Sequence, residues 1–171
     1  IAINSGKIID TKFLPIIQSG VDIVCQYLAR NIARDGEGAN CLLEVLVEGA
    51  NCTEDAIKIA KSICNSSLVK TAIHGCDPNW GRIISAAGNA GVNFKLDLVD
   101  LYIGNYQILE KGRLCQYDSK RISYFLKTRM QGKYLEEDTV QIKFKLNDGK
   151  FKGTAWGCDL SKKYVEINSE Y

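Results

Sequence analysis

Val140, Ile142, Phe144 and Leu146 alternate without a break with Gln141, Lys143 and Lys145. Successive side chains on a strand point to opposite faces, so this stretch reads as a strand with one apolar face and one wet face. Asn147-Asp148-Gly149 then carries turn chemistry, and the expected course is a turn back into a second strand from Phe151 to Cys158. A chain with such a strand must cover one side of a sheet with something else.

Helical spacing upstream supplies that cover. From about Ser19 to Arg34, the residues Val21, Val24, Cys25, Leu28 and Ile32 form an apolar stripe with Arg30 and Arg34 outside it. Asp35-Gly36-Glu37-Gly38 stops this helix, because its glycines permit the positive φ of a C-cap. Leu42 to Val47, rich in Leu and Val, reads as a strand buried on at least one face. Asn51 with Glu54 resembles a capping box, opening a helix that places Ala56, Ile59, Ala60 and Ile63 on one face and runs to about Leu68. A short apolar link to Ile73 follows. Asp77-Pro78 starts a further helix, with Asp77 as cap, Ile83, Ile84 and Ala87 on its apolar face and Gly88 at its end. Leu96 to Ile103 turns at Gly104-Asn105 into Tyr106 to Leu109, and a helix from Asp118 or Ser119 to Gln131 turns Ile122, Phe125, Leu126 and Met130 inward. The class is α+β, with mixed α/β layers, two layers deep and antiparallel toward the C-terminus.

Composition narrows the function classes. With 22 basic against 20 acidic residues and a net charge of +2, no basic stripe marks a nucleic-acid partner. No uncharged apolar run approaches the ~18 residues that span a bilayer, and no signal-peptide pattern opens the chain. A soluble protein is expected. The seven cysteines include no CxxC pair and read as free thiols in a reducing compartment. The sequons at Asn51 and Asn65 then carry no meaning. His74 lies near Cys76 and Asp77, but one His without paired cysteines does not make a metal site. The chain begins with Ile1, without an initiator Met, which suggests a processed product or a piece of a longer chain. Ile1 has no side-chain nucleophile, so it cannot act as an N-terminal catalytic residue.

Three stretches exceed what a fold requires. In Asp35-Gly36-Glu37-Gly38, a carboxylate between two glycines lets backbone approach a ligand closely, and its place after a helix C-terminus raises the value of a cationic partner. A solvated helix-ending loop explains the same residues equally well. In Asp77-Pro78-Asn79-Trp80-Gly81-Arg82, large and charged side chains stand at a helix start, either facing an anion or packing Trp80 in the core with Arg82 pairing nearby. The third is the C-terminal run from Ala155 to Tyr171. Its Tyr164, Val165 and Ile167 are strand-like, so it reads as an edge strand whose Asn168 amide could help fix an amino acid.

Together with Ser67-Leu68-Val69-Lys70-Thr71-Ala72 and Val99-Asp100-Leu101-Tyr102, these stretches resemble the β-chain portion of the ornithine acetyltransferases across nearly the whole chain. These are the bifunctional glutamate N-acetyltransferases of arginine biosynthesis. The resemblance implies an N-terminal-nucleophile-like fold whose precursor cuts itself before a Thr, leaving α and β chains associated as an α2β2 heterotetramer. That Thr moves an acetyl group from N-acetylornithine to glutamate by a ping-pong route through an acetyl-enzyme. No cofactor is implied, although some members accept acetyl-CoA as a substrate. Residues 1–50 would end the nucleophile-bearing core domain, and 51–171 would form a C-terminal α+β domain.

Carried over by position, Glu37 and Asn168 are the expected substrate-binding residues. No catalytic residue and no metal ligand is expected here, since the nucleophilic Thr would lie upstream of Ile1. The expected partners are the α chain and the N-terminal part of the β chain, with no nucleic acid and no membrane, in the cytoplasm by default; eukaryotic relatives would be organellar. The chain departs from the family in two places. It stops at Tyr171, short of a terminal hydroxyl residue, and it has Asn40-Cys41 where Thr-Lys is common. Two rival readings keep less: a related self-cleaving amidase or aminopeptidase, or a non-catalytic assembly module.

Overall fold

The computed structural model describes Gly6 and residues 10–169. In chain order the main elements are α1 (Leu14–Arg34), β1 (Leu42–Ala50), α2 (Thr53–Asn65), α3 (Ser67–His74), α4 (Trp80–Gly88), β2 (Asp100–Ile103) and β3 (Tyr106–Glu110). Then follow β4 (Arg113–Leu114), α5 (Ser119–Met130), β5 (Thr139–Lys145), β6 (Phe151–Cys158) and α6 (Lys162–Asn168). The six strands form one sheet in the order β4-β3-β2-β5-β1-β6. This is the mixed α/β class expected from the sequence.

The alternating strand behaves as its pattern requires. Val140, Ile142 and Phe144 are fully buried, while Gln141, Lys143 and Lys145 are only partly so. Leu43, Val45 and Val47 of β1 and Leu101 and Ile103 of β2 share that buried layer. Ile59 and Ile63 of α2, Ile83 of α4 and Ile122 and Leu126 of α5 close over it. Gly153 of β6 lets α2 approach, since a Cβ there would stand 2.7 Å from the Ile57 backbone N.

The strands after the turn are not a hairpin. β1 lies between β5 and β6, parallel to the first and antiparallel to the second, with Val45 opposite both Ile142 and Ala155. The turn at 147–149 does form, but it wraps the end of β1. Leu146 N donates to Glu48 O at 2.8 Å, and Asp148 N donates to Gly49 O at 3.1 Å. β1 carries the mark of an interior strand: Leu42 and Leu43 are consecutive and both fully buried, so both of its faces are covered there. β1 thus shares one sheet with all five later strands.

Four local expectations change. Asn51 does not cap α2; its amide reaches Asp148 at 3.5 Å, and Cys52 holds the cap position without a side-chain bond. The link to Ile73 is the helix α3, because Ser66 accepts from Val69 N and ends α2 at Asn65. α4 is capped by Asn79, which accepts from Arg82 N at 3.2 Å, while Asp77 accepts from the Asn79 amide. The terminal strand is the helix α6, because Ser161 accepts from Tyr164 N at 3.3 Å and outweighs the strand preference of the residues after it. The hairpin at Gly104-Asn105 forms as expected, and α5 starts at Ser119, one of its two expected starts, with Asp118 as its cap.

α1 starts five residues earlier than its stripe suggested, with Pro15 in its first turn. None of its 21 residues is buried. Among the described residues, no helix is long and apolar enough to cross a membrane.

Candidate functional site

The loop between α1 and β1 carries Glu37, and its course is set from three sides. Arg34, at the end of α1, donates to Ala39 O at 3.1 Å and Asn40 O at 3.0 Å, and its Nε pairs with the fully buried carboxylate of Asp138. Gly38 has φ +69, and a Cβ on it would stand 2.8 Å from Tyr164 N. Only glycine fits where the loop passes that close to α6 with this backbone. Ser161 completes the clamp, donating from Oγ to Gly38 O at 2.7 Å while it caps α6.

This clamp brings the two expected site residues together. Asn168, in the last turn of α6, donates its amide to Glu37 Oε2 at 2.7 Å and to Tyr164 O at 2.9 Å. Both amide hydrogens are thereby used. Among the described residues, what remains is Glu37 Oε1 and Asn168 Oδ1, two acceptors beside one carboxylate. That set suits a cationic donor such as an alkylammonium group.

Behind the loop lies a polar knot around Asp159, a carboxylate just past the end of β6. It accepts from Asn40 N at 2.7 Å, Cys41 N at 3.0 Å and the Asn40 amide at 2.9 Å. His74 Nδ1 closes it at 2.9 Å. Burial pushes the Asp159 carboxyl up, but the hydrogen bonds from Asn40, Cys41 and His74 outweigh burial and hold it below the usual carboxylate range. The knot fixes the start of β1 against the end of β6, and so fixes the floor under Glu37. His74 serves it as a structural partner. Among the described residues, no group of three or more His, Cys, Asp and Glu is placed to hold a metal ion.

Glu37 opens onto a cleft of about 390 Å³ that Gly36, Ser67, Lys70, Cys158 and Tyr164 also line. A wider groove of about 570 Å³ beside Glu110 and Arg113 lies at the β3–β4 edge, remote from these residues. Two thiols near the core carry no nucleophile. Burial pushes the Cys41 thiol far up and the Cys64 thiol to about 11, so neither is a thiolate at neutral pH.

The Asp77–Arg82 run does not enter the cleft. Trp80 packs half-buried against the core, and Arg82 donates to Leu68 O at 2.9 Å and to Thr71 Oγ1 at 3.4 Å. This is the packing alternative, and it ties α4 to α3. Sequence reasoning named Glu37 and Asn168 but missed Asp159, Asn40, Ser161 and Asp138, which hold them in place. The signal was faint: Asp159 and Ser161 stood in a stretch singled out for its aromatic and terminal residues, and nothing local ties Asp138 to Arg34.

The model of the ArgJ family matches residues 1–171. The arginine biosynthesis bifunctional protein ArgJ of Prochlorococcus marinus subsp. pastoris is 76% identical over 171 residues, which are 100% of this chain and 42% of that protein. The protein of the same description from Dehalococcoides mccartyi is 50% identical over 162 residues, 95% of this chain and 38% of that protein. The crystal structure of the arginine biosynthesis bifunctional protein argJ from Bacillus halodurans superposes with a TM-score of 0.85 at 40% identity, covering 93% of this chain and 71% of that one. The chain thus spans about two fifths of the length of the curated relatives it matches.

Proposed function

The chain belongs to the ArgJ family, and on that premise we propose that it forms one wall of the substrate site of a glutamate N-acetyltransferase in arginine biosynthesis. The observation that carries this reading is the 2.7 Å bond from Asn168 to Glu37, joining residues 131 positions apart. It leaves an acceptor-rich corner suited to the free side-chain ammonium of N-acetylornithine. The corner orients the substrate; the bond-making group belongs to the family polypeptide outside residues 1–171. There a Thr hydroxyl would attack the acetyl carbonyl, ornithine would leave as its free α-amine, and the α-amine of glutamate would then take the acetyl group from the ester. Holding the ammonium fixes where the acetyl carbonyl falls, which is the orienting contribution of a distant binding contact.

The same reading assigns the exposed face of α1. Val24, Leu28 and Ile32 are 56%, 52% and 77% exposed on a helix with no buried residue. An apolar face of this extent suits a protein interface. Its occupant in this reading is the family polypeptide beyond residues 1–171, present as an α chain and the N-terminal part of the β chain after self-cleavage, in an α2β2 assembly. The seven free thiols suit a cytoplasmic setting. Acetyl-CoA remains a further candidate acetyl donor, and no cofactor takes part.

Purifying the complete polypeptide and assaying acetyl transfer from N-acetylornithine to glutamate tests the proposal. The complete protein is expected to be active as two associated chains, and residues 1–171 alone to be inactive. Transfer by residues 1–171 alone would overturn the assignment.

A further inference from the structure

We propose that Lys70 is the residue that admits glutamate, by receiving its side-chain carboxylate in the cleft that Glu37 also lines. This rests on the reading above. A ping-pong enzyme with one site must bind N-acetylornithine, whose side chain ends in an ammonium, and then glutamate, whose side chain ends in a carboxylate. Glu37 attracts the first and repels the second. Glu37 alone would disfavour that acceptor, so a cation on the same wall of the site would offset its charge.

Lys70 is such a cation. It is partly buried on α3 and lines the cleft together with Ser67, one turn earlier on the same helix. Among the described residues its ammonium enters none of the ion pairs, which are Lys12–Asp10, Arg34–Asp138, His74–Asp159, Lys95–Asp148 and Lys133–Glu136. Among the described residues Glu37 in turn is bound by an amide and not by a cation, so Lys70 and Glu37 line one cleft without forming an ion pair. Each is left to pair with a ligand group of the opposite sign.

The backbone holds Lys70 where this needs it. Leu160 N donates to Lys70 O at 3.3 Å, joining α3 to the residue after Asp159. Ser66 caps the start of α3, and Arg82 holds its Leu68 carbonyl at 2.9 Å. The Asp77–Arg82 run thereby gains a role, since Arg82 braces the helix that presents Lys70. Lys70 and Ser67 also fall within the Ser67–Ala72 stretch, to which the sequence alone gave no function.

In a ping-pong scheme, kcat/KM for each substrate reports only its own half-reaction, which makes the test direct. In the complete enzyme, Lys70→Met is expected to lower kcat/KM for glutamate about 10- to 100-fold, the scale of one lost charge-assisted contact. The value for N-acetylornithine is expected to change less than about threefold. Equal losses for both substrates, or no loss for glutamate, would overturn the proposal. If the variant does not fold, reductive methylation of wild-type lysines with and without glutamate reads the same contact. Lys70 should be protected by saturating glutamate, and unchanged labelling would overturn the proposal. A wild-type enzyme that transfers no acetyl group would defeat the functional reading instead, while the labelling would still report whether Lys70 binds glutamate.

Discussion

Helices α1 and α2 look alike in sequence and have opposite fates in the structure. Each carries an apolar stripe at helical spacing, with charges on the other side. α2 buries Ala56, Ile59, Ala60, Ile63 and Cys64 against β1 and β6. None of the 21 residues of α1 is buried; only its last turns are partly covered, where they meet β6 and β1 and where Arg34 reaches Ala39, Asn40 and Asp138. Periodicity records that a face wants cover, not which surface supplies it. For α2 the cover is this chain's own sheet; for α1 we assign it to the rest of the family polypeptide.

Paired truncations break or sharpen the contrast. Ile59→Ala in residues 1–171 should lower stability by about 2–5 kcal/mol, since it empties a filled site in the core. Ile32→Ala in the same chain should stay within about 0.5 kcal/mol, as for other exposed positions. In the complete protein the cost of the Ile32 change should rise to about 2 kcal/mol or more, the scale of a truncation at a buried site. Denaturant unfolding of both forms decides it, and an Ile32 effect that is the same in both would remove the assigned interface.

The Asp159 knot should show a smaller but pH-dependent effect. Its carboxyl is held below the usual range in the fold, so its stabilisation is present above the unfolded pKa, about 3.9, and is lost as pH falls through the lower folded value. Asp159→Asn should cost about 1–3 kcal/mol near neutral pH, the scale of hydrogen bonds to a charged group, and flatten the acid limb of the stability curve. An unchanged acid limb would show that the carboxylate is not the group being protonated.

The smallest effect separates two caps. Asn79→Ala should cost about 1 kcal/mol through loss of the bond to Arg82 N. Asp77→Ala should cost clearly less, because the Asp77 carboxylate accepts from the Asn79 side-chain amide and not from a backbone N–H of the helix. The reverse order in thermal unfolding would restore Asp77 as the cap.

What was legible in the sequence divides along the same line. Stripes, the alternation at 140–146 and the Gly104-Asn105 turn reported local geometry, and those elements formed. Strand order was not local. Nothing near 147–149 says that β1 inserts between β5 and β6, because that pairing joins segments about a hundred residues apart in the chain. The tail from Tyr164 misled for a related reason: a single cap at Ser161, fixed in turn by Gly38, converts strand-like residues into a helix. Glu37 and Asn168 were visible through resemblance, while their contact and its supports at Arg34, Asp138 and Asp159 depend on folding. Lys70 lay inside the Ser67–Ala72 stretch, and only the shared cleft gave it chemistry.

Glu37 as the receptor for a substrate ammonium is the central claim. The most direct measurement is kcat/KM for N-acetylornithine in the complete enzyme carrying Glu37→Gln, with thermal unfolding alongside. A fall of about 10- to 100-fold at an unchanged melting temperature is predicted, because the charge is lost while the bond to Asn168 can persist. An unchanged kcat/KM would contradict the claim.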